Sequence, residues 1–337
     1  MPLRNADAMV AGLKAAADPT RLRILALLAT GEHNVKDLTR ILGQSQPRIS
    51  RHLKLLTEAG LVGRAQEGSW AFFHLAEAAS GGGLARRLLA ELDLNDAQLA
   101  RDRHRADAIR SEHETQAQSY FETEAANWDT IRTLYVEEAE VEAAVRNALV
   151  DRSIDLLVDL GTGTGRMLQL LADEYRQALG LDINRAMLAY ARAKLERSGI
   201  MHAQVRQGDV YNIPLGDGAA SAVVIHQILH FLADPARAIT EAARILAPGG
   251  RLVIVDFASH QLEMLRERHA HVRLGFEDQQ MRTWLASAGL DVAPTRHLEP
   301  AGTHDTEHLV VSVWIADAPV SAKSPSPTKS PALERVR

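Results

Sequence analysis

The chain contains no cysteine. Disulfides, thiolate zinc centres and cysteine nucleophiles are therefore excluded. It also lacks any apolar run approaching the ~18 residues that cross a bilayer. Its first residues carry no apolar core of the signal-peptide kind, so the expected location is the cytoplasm, away from any membrane. What is present is a globular composition of 46% hydrophobic and 24% charged residues over 337 positions, enough for two domains with connectors. The charge is unevenly spread: residues 1–75 carry a net +4 and the remainder a net −9. A basic head on an acidic body is the balance expected where an N-terminal part faces DNA.

Helical spacing opens the chain. A first helical pattern covers about Asn5 to Ala17. Asp18-Pro19-Thr20 then caps a helix to Ala29, with Leu22, Leu25 and Leu28 as its expected buried stripe. A short helix from Val35 to Leu42 ends at Gly43. Ser45 reads as the N-cap of a helix from Gln46 to Ala59, in which Ile49, Leu53 and Leu56 recur on one face. Two short strands, Val62–Gln66 and Trp70–Leu75, flank a Glu67-Gly68-Ser69 turn. Helix, turn, helix and hairpin is winged-helix order.

Gly81-Gly82-Gly83 marks a hinge, followed by an amphipathic helix from Leu84 to Leu92. Asn95-Asp96 caps a long, charge-rich helix from Ala97 to about Glu124, read as a solvated connector. From Ile154 onward, apolar strands near 155–160, 177–181, 203–207, 221–226 and 251–257 alternate with helices. That alternation implies a parallel sheet covered on both faces. A helix around Asp278–Ala288 and two late strands, 290–298 and 308–316, complete the pattern. The Ser-, Pro- and Lys-rich residues 318–337 read as a disordered tail. The expected division is a DNA-reading domain over 1–92, a connector over 93–124, an α/β domain over 125–317 and the tail.

The stretches Ala17–Leu25, Ser45–Leu56 and Ala59–Val62 resemble the ArsR family of winged-helix repressors, over about residues 8–92. In such a fold the recognition helix enters the major groove N-terminus first. Gln46, Arg48, Ser50 and Arg51 project opposite Ile49 and Leu53. Arg pairs with guanine bidentately and Gln with adenine. Lys54 and the wing residue Arg64 suit phosphates. Ser45 and His52 complete the expected DNA-facing set, His52 as a packing or phosphate residue. The resemblance also implies a homodimer through the terminal helices, here Ala6–Leu13 and Leu84–Leu92. The family's metal sensing does not carry over. The cysteine pair of its arsenic sensors is absent, and Asp102, His104 and His113 are spaced too closely for its zinc set, so no metal site is expected.

Val158-Asp159-Leu160-Gly161-Thr162-Gly163-Thr164-Gly165 joins a strand to a helix. Glycines there permit a tight turn and close approach of backbone to ligand. A dinucleotide fingerprint wants its third glycine three residues past the second, but here it comes two past and Arg166 takes that position. The pattern resembles class I S-adenosylmethionine-dependent methyltransferases, over about residues 120–316 and nearest the small-molecule methylases of the ubiquinone/menaquinone type. The implied fold is a Rossmann-like, seven-stranded, mostly parallel sheet behind the winged-helix domain.

The same resemblance assigns the donor site. Asp159, Gly161, Thr162, Gly163 and Gly165 cradle the methionine portion. Asp182 takes the ribose hydroxyls, Ile183 packs on adenine, and Asp209 with Val210 meets the adenine amine. His226 and the stretch to His230 form the wall beside the sulfonium, and Tyr120, Phe121 and Trp128 lie in an N-terminal lid. His226 and His230 are the candidate catalytic residues, with a structural hydrogen bond as the commoner fate of a histidine like His230. Arsenite methylation is disfavoured because it relies on cysteines.

Three readings stay open at this point. The chain could be a transcriptional regulator with a working methyltransferase acting on a small-molecule acceptor. It could be a repressor that only senses S-adenosylmethionine or S-adenosylhomocysteine. Or it could be a methyltransferase whose winged helix contacts only protein.

Overall fold

The computed structural model describes residues 5–67, 70–76, 83–93, 95–124, 138–299 and 309–320. Helices α1 (Ala6–Ala16) and α2 (Pro19–Leu28) lead to a short strand β1 (His33–Asn34). Next come α3 (Val35–Leu42), α4 (Gln46–Glu58) and strands β2 (Val62–Glu67) and β3 (Trp70–Leu75). Helices α5 (Gly83–Ala90) and α6 (Ala97–Glu124) follow.

Local chemistry sets these boundaries. The Asp18 carboxylate accepts the Arg21 N–H at 3.0 Å and Pro19 occupies the first turn of α2. The Asn34 side chain caps α3, and Gly43 ends that helix at φ 65°. Ser45 stands at the N-cap of α4, but its hydroxyl makes no capping bond; its carbonyl accepts from Arg48 and Ile49 instead. The buried face of α2 is Ile24, Leu25, Leu27 and Leu28, with Leu22 only partly covered, which corrects the expected stripe. Strand β1 adds a third member to the hairpin, in the order β1-β3-β2, all antiparallel. Two residues are too few to show a period of two in sequence. The turn residues Gly68 and Ser69 and the hinge residues Gly81 and Gly82 lie outside the described set.

Helix α6 is not a solvated rod. Ala106 and Ile109 are buried in the head's hydrophobic core, and Leu99 is buried one face-step earlier. Asp102 is 1% exposed and takes both Nε and Nη2 of Arg23, at 2.6 and 2.7 Å. Gln98 Nε2 reaches the same carboxylate at 3.0 Å, and Arg105 Nη1 caps the Ile41 carbonyl at 3.1 Å. The spacing Leu99, Asp102, Ala106, Ile109 is a helix face in which one apolar position has been replaced by a charge with its own partner.

The α/β domain contains α7 (Glu138–Leu149), β4 (Ile154–Leu160), α8 (Arg166–Leu170), β5 (Tyr175–Asp182), α9 (Arg185–Arg197), β6 (Ala203–Gln207) and β7 (Ala220–His226). It continues with α10 (Pro235–Ile245), β8 (Leu246–Phe257), α11 (Met264–His269), α12 (Asp278–Ser287), β9 (Asp291–Val292), β10 (Arg296–Leu298) and β11 (Val311–Asp317). The strand order is β10-β11-β8-β7-β4-β5-β6, and β9 pairs with β11 as an eighth member. Strands β8, β7, β4, β5 and β6 run parallel, while β11 is antiparallel to β8, β9 and β10.

One apolar core lies on each face of this sheet. The expected strand 290–298 is split because Pro294 has no N–H to give the ladder; Ala293 donates to Ile315 and β10 starts at Arg296, two residues past the proline. Ala318, expected in the tail, still exchanges hydrogen bonds with Gly249 and Gly250. Residues 321–337 are outside the described set. The parallel strands leave β4 in opposite directions, toward β5 and toward β7. That reversal opens a crevice beyond their C-terminal ends, where open α/β sheets hold ligands.

The Arg23–Asp102 pair gives a direct test of the α6 anchorage. Asp102→Ala leaves a largely buried guanidinium unpaired and should destabilise the chain by about 3 kcal/mol in urea unfolding. A change below about 0.5 kcal/mol would contradict the anchorage.

Candidate functional site

The crevice is built on the turn after β4. Gly161, Gly163 and Gly165 all adopt left-handed backbone, at φ 69°, 51° and 79°. A Cβ on Gly161 would stand 2.5 Å from Cγ2 of Ile228, so any other residue there would have to displace the Ile228 side chain. The amides of Gly161 and Thr162 donate to the Leu181 carbonyl at 2.8 and 2.9 Å, and the Thr162 hydroxyl donates to the buried Asp159 at 2.6 Å.

Asp182 completes the fastening. One carboxylate oxygen accepts the Gly163 amide at 2.9 Å and the other the Asn184 amide at 2.8 Å. Burial raises the Asp182 pKa, opposed by hydrogen bonds from the Asn184, Gly163 and Ile183 backbone. A carboxylate has about four acceptor positions, so capacity remains toward the cleft that Asp182 lines. Next to it Ile183 is 47% exposed, an aliphatic plate of the kind a flat heterocycle covers. At the end of β6, Asp209 accepts the Tyr211 amide at 2.8 Å.

The far wall follows β7. His226 faces the cleft, Gln227 takes a left-handed φ of 53°, and a short 3-10 turn carries Leu229–Phe231. Phe121 of α6 meets Phe231 edge to face at 4.7 Å.

Asp159, Gly161, Thr162, Gly163, Asp182, Ile183, Asp209, Val210 and His226 therefore line one cleft. Three expectations fall differently. Gly165 does not line it; it turns the chain into α8, where a Cβ would press on Ala191 at 3.2 Å. His230 is 2% exposed behind the wall. Its Nδ1 is 2.7 Å from the buried Asp256, and its ring is 4.1 Å from those of Phe231 and His271. That placement corrects its reading as a catalytic residue. The Tyr120 side chain and Trp128 lie outside the described set, while Phe121, beside Tyr120, reaches the cleft. Sequence reasoning did not single out Ile228 and Phe231 individually. Ile228 is announced only by the space that Gly161 leaves, which is a tertiary fact.

On the head, Ser45, Gln46, Arg48, Ser50, Arg51 and Lys54 are exposed along α4, and Arg64 is exposed on β2. Ile49, His52, Leu53 and Leu56 form the opposite, buried face. His52 is a correction to the DNA-facing set. It is 8% exposed with Nδ1 3.8 Å from Asp18, and burial lowers its pKa. No helix among the described residues is long and apolar enough to cross a membrane, and no group of three or more potential metal ligands occurs among them.

Comparison with known proteins agrees with both halves of this geometry. The family described as "Methyltransferase domain" matches residues 158–254, and that described as "Bacterial regulatory protein, arsR family" matches residues 18–63. An uncharacterized methyltransferase of Mycobacterium tuberculosis is 30% identical over 182 residues, covering 54% of this chain and 71% of that protein. The demethylmenaquinone methyltransferase of Thermus thermophilus is 38% identical over 103 residues, covering 30% of this chain and 46% of that protein. The chain thus spans about half the length of several curated relatives it matches. In fold, the N-methyltransferase NodS of Bradyrhizobium japonicum, solved with S-adenosyl-L-homocysteine, superposes with a TM-score of 0.50 at 20% identity, over 60% of this chain and 98% of its own. With that cleft at the head of that sheet, the chain belongs to the class I S-adenosylmethionine-dependent methyltransferases, and it carries an arsR-family helix-turn-helix domain ahead of the catalytic fold.

On the expectation that Asp182 takes both ribose hydroxyls, Asp182→Ala should weaken S-adenosylhomocysteine binding about a hundredfold or more in calorimetry, the loss for two hydrogen bonds to a charged acceptor. Because burial raises the Asp182 pKa, wild-type affinity should begin to fall on acidification at a pH above the ordinary aspartate range. Unchanged affinity in the variant would contradict this role.

Proposed function

We propose that the chain is a DNA-binding transcriptional regulator whose methyltransferase domain binds S-adenosylmethionine and methylates a small-molecule acceptor. The observation that carries the reading is the convergence of Asp159, the 161–163 turn, Asp182, Ile183 and Asp209 on one cleft, in a chain whose α4 presents Gln46, Arg48 and Arg51 to solvent.

When bound, the nucleoside supplies an electrophilic methyl group on a sulfonium. Asp182 would hold the ribose hydroxyls, Ile183 would cover the adenine, and Asp209 would meet the adenine amine. The 161–163 turn shapes the berth for the methionine portion. His226 is the histidine on the acceptor side of the wall. Methyl transfer needs mostly in-line positioning, and a base contributes only where the acceptor carries a proton.

A sensing-only reading draws support from the withdrawal of His230, which is held by Asp256 behind Phe231. In that reading either S-adenosyl nucleoside acts as an effector without turnover. In both readings the protein works in the cytoplasm as a homodimer on a double-stranded operator. Val10 and Leu13, exposed apolar side chains on α1, suit cover by a second copy.

Arg48→Ala combined with Arg51→Ala should lower affinity for duplex DNA from the gene's own upstream region by tenfold or more (about 1–3 kcal/mol per lost base contact). Nucleoside affinity should stay unchanged. Wild-type binding should weaken steeply with salt. A wild-type chain without salt-dependent DNA binding would remove the regulator and leave a methyltransferase whose head contacts only protein.

A further inference from the structure

The head and the α/β domain meet at a buried cation. Arg273, between α11 and α12, is 0% exposed. Its Nη2 donates to Glu32 at 2.7 Å, and its guanidinium lies 3.9 Å from the ring centroid of Phe72 on β3. Glu32 sits in the turn that enters β1. Gln280 of α12 donates to it at 3.4 Å, and its carboxylate is 3.7 Å from Nδ1 of His74 on β3. Arg266 of α11 covers Trp70 on β3 at 4.6 Å. Gly31 passes so close to Asp234 that a Cβ would stand 3.2 Å from its carboxylate. These contacts all fall on the turn 31–32 and on β3. They run along the wing's second strand from Trp70, beside the hairpin turn, to His74, and none of them involves α4.

The backbone of the same residue meets the segment that forms the cleft wall. The backbone amides of Val272 and Arg273 both donate to the His230 carbonyl at 2.9 Å. His230 belongs to the wall segment that begins at Gln227, a non-glycine residue in left-handed backbone, and whose Ile228 and Phe231 line the cleft. Behind the wall, Asp256 accepts the His230 amide at 3.3 Å as well as facing its ring. A single peptide carbonyl thus separates the cleft wall from the cation that grips the head.

We propose that this latch carries nucleoside occupancy to the DNA-reading wing: the wall segment 227–231 orders around the bound nucleoside, its His230 carbonyl fixes Arg273, and Arg273 fixes Glu32 and Phe72. The proposal rests on the cleft being a nucleoside site. The guanidinium is fully buried, so moving Glu32 away costs it a charge partner inside the protein, and packed contacts of this kind adopt discrete rather than continuously graded arrangements. That is the property a two-state coupling element needs.

The test uses the full chain and S-adenosylhomocysteine, with calorimetry for binding and hydrogen exchange on β2 and β3 for the wing. In the wild type, saturating nucleoside should slow wing exchange by about threefold or more, within the ordinary range of intramolecular coupling. In Glu32→Gln that response should shrink to less than about 1.5-fold, with nucleoside affinity held within about threefold. Phe72→Leu, which removes the ring under the guanidinium without touching a charge, should behave the same way. Binding by calorimetry with no wing response in the wild type overturns the coupling alone. So does a full response retained in both variants, which would make the latch a static tether. No calorimetric binding to the wild type overturns the reading of the cleft, and the latch proposal with it.

Discussion

A carboxylate at the end of a parallel strand organises this molecule. Asp182 is held in place by backbone amides, among them one from the turn after β4 and one from the start of α9. Removing a charge from water costs several kcal/mol unless hydrogen bonds replace the lost hydration. Here the replacement also fixes the geometry. Holding the Gly163 amide positions the turn, the turn brings Gly161 against Ile228, and Ile228 belongs to the opposite wall. One anion therefore sets the width of the cleft and presents its remaining acceptor capacity to whatever enters.

The second organising feature is that the head and the α/β domain are fastened together rather than strung on a line. Arg23 and Asp102 bind α6 into the head, and Arg273 and Glu32 bind the head's hairpin to the α/β domain. Phe121, near the far end of α6, meets the cleft wall at Phe231. Both buried pairs use arginine. Its planar guanidinium can engage a carboxylate with two donors, as on Asp102, or sit over a ring, as over Phe72. Ion pairs in such places add little net stability against apolar alternatives, but breaking one is costly. They fix which surfaces meet.

Much of this was legible from residue order. The glycine spacing after β4 and the carboxylates ending β5 and β6 mark the cleft because each answers a local backbone or donor requirement. The alternation of strand and helix gives the layered sheet for the same reason. The capped helices and the Ile49–Leu53–Leu56 stripe give the head. What was not legible depends on partners distant in sequence. Asp102 looks like one more surface charge on α6 until Arg23, 79 residues away, is placed against it. His230 looks like a cleft residue until Asp256 draws it behind the wall. His52, set among exposed neighbours, turns inward because it falls on the same helix face as Ile49 and Leu56. Arg273 carries no motif at all; its importance comes entirely from burial between two domains.

The central claim is that Asp182 and its neighbours form a berth for an adenosyl sulfonium or its demethylated product. A crystal structure of the full chain grown with saturating S-adenosylhomocysteine tests it most directly. The account predicts both ribose hydroxyls on the Asp182 carboxylate, adenine lying on Ile183 and its amine toward Asp209. Nucleoside bound away from Asp182, or an empty cleft at saturation, would contradict it.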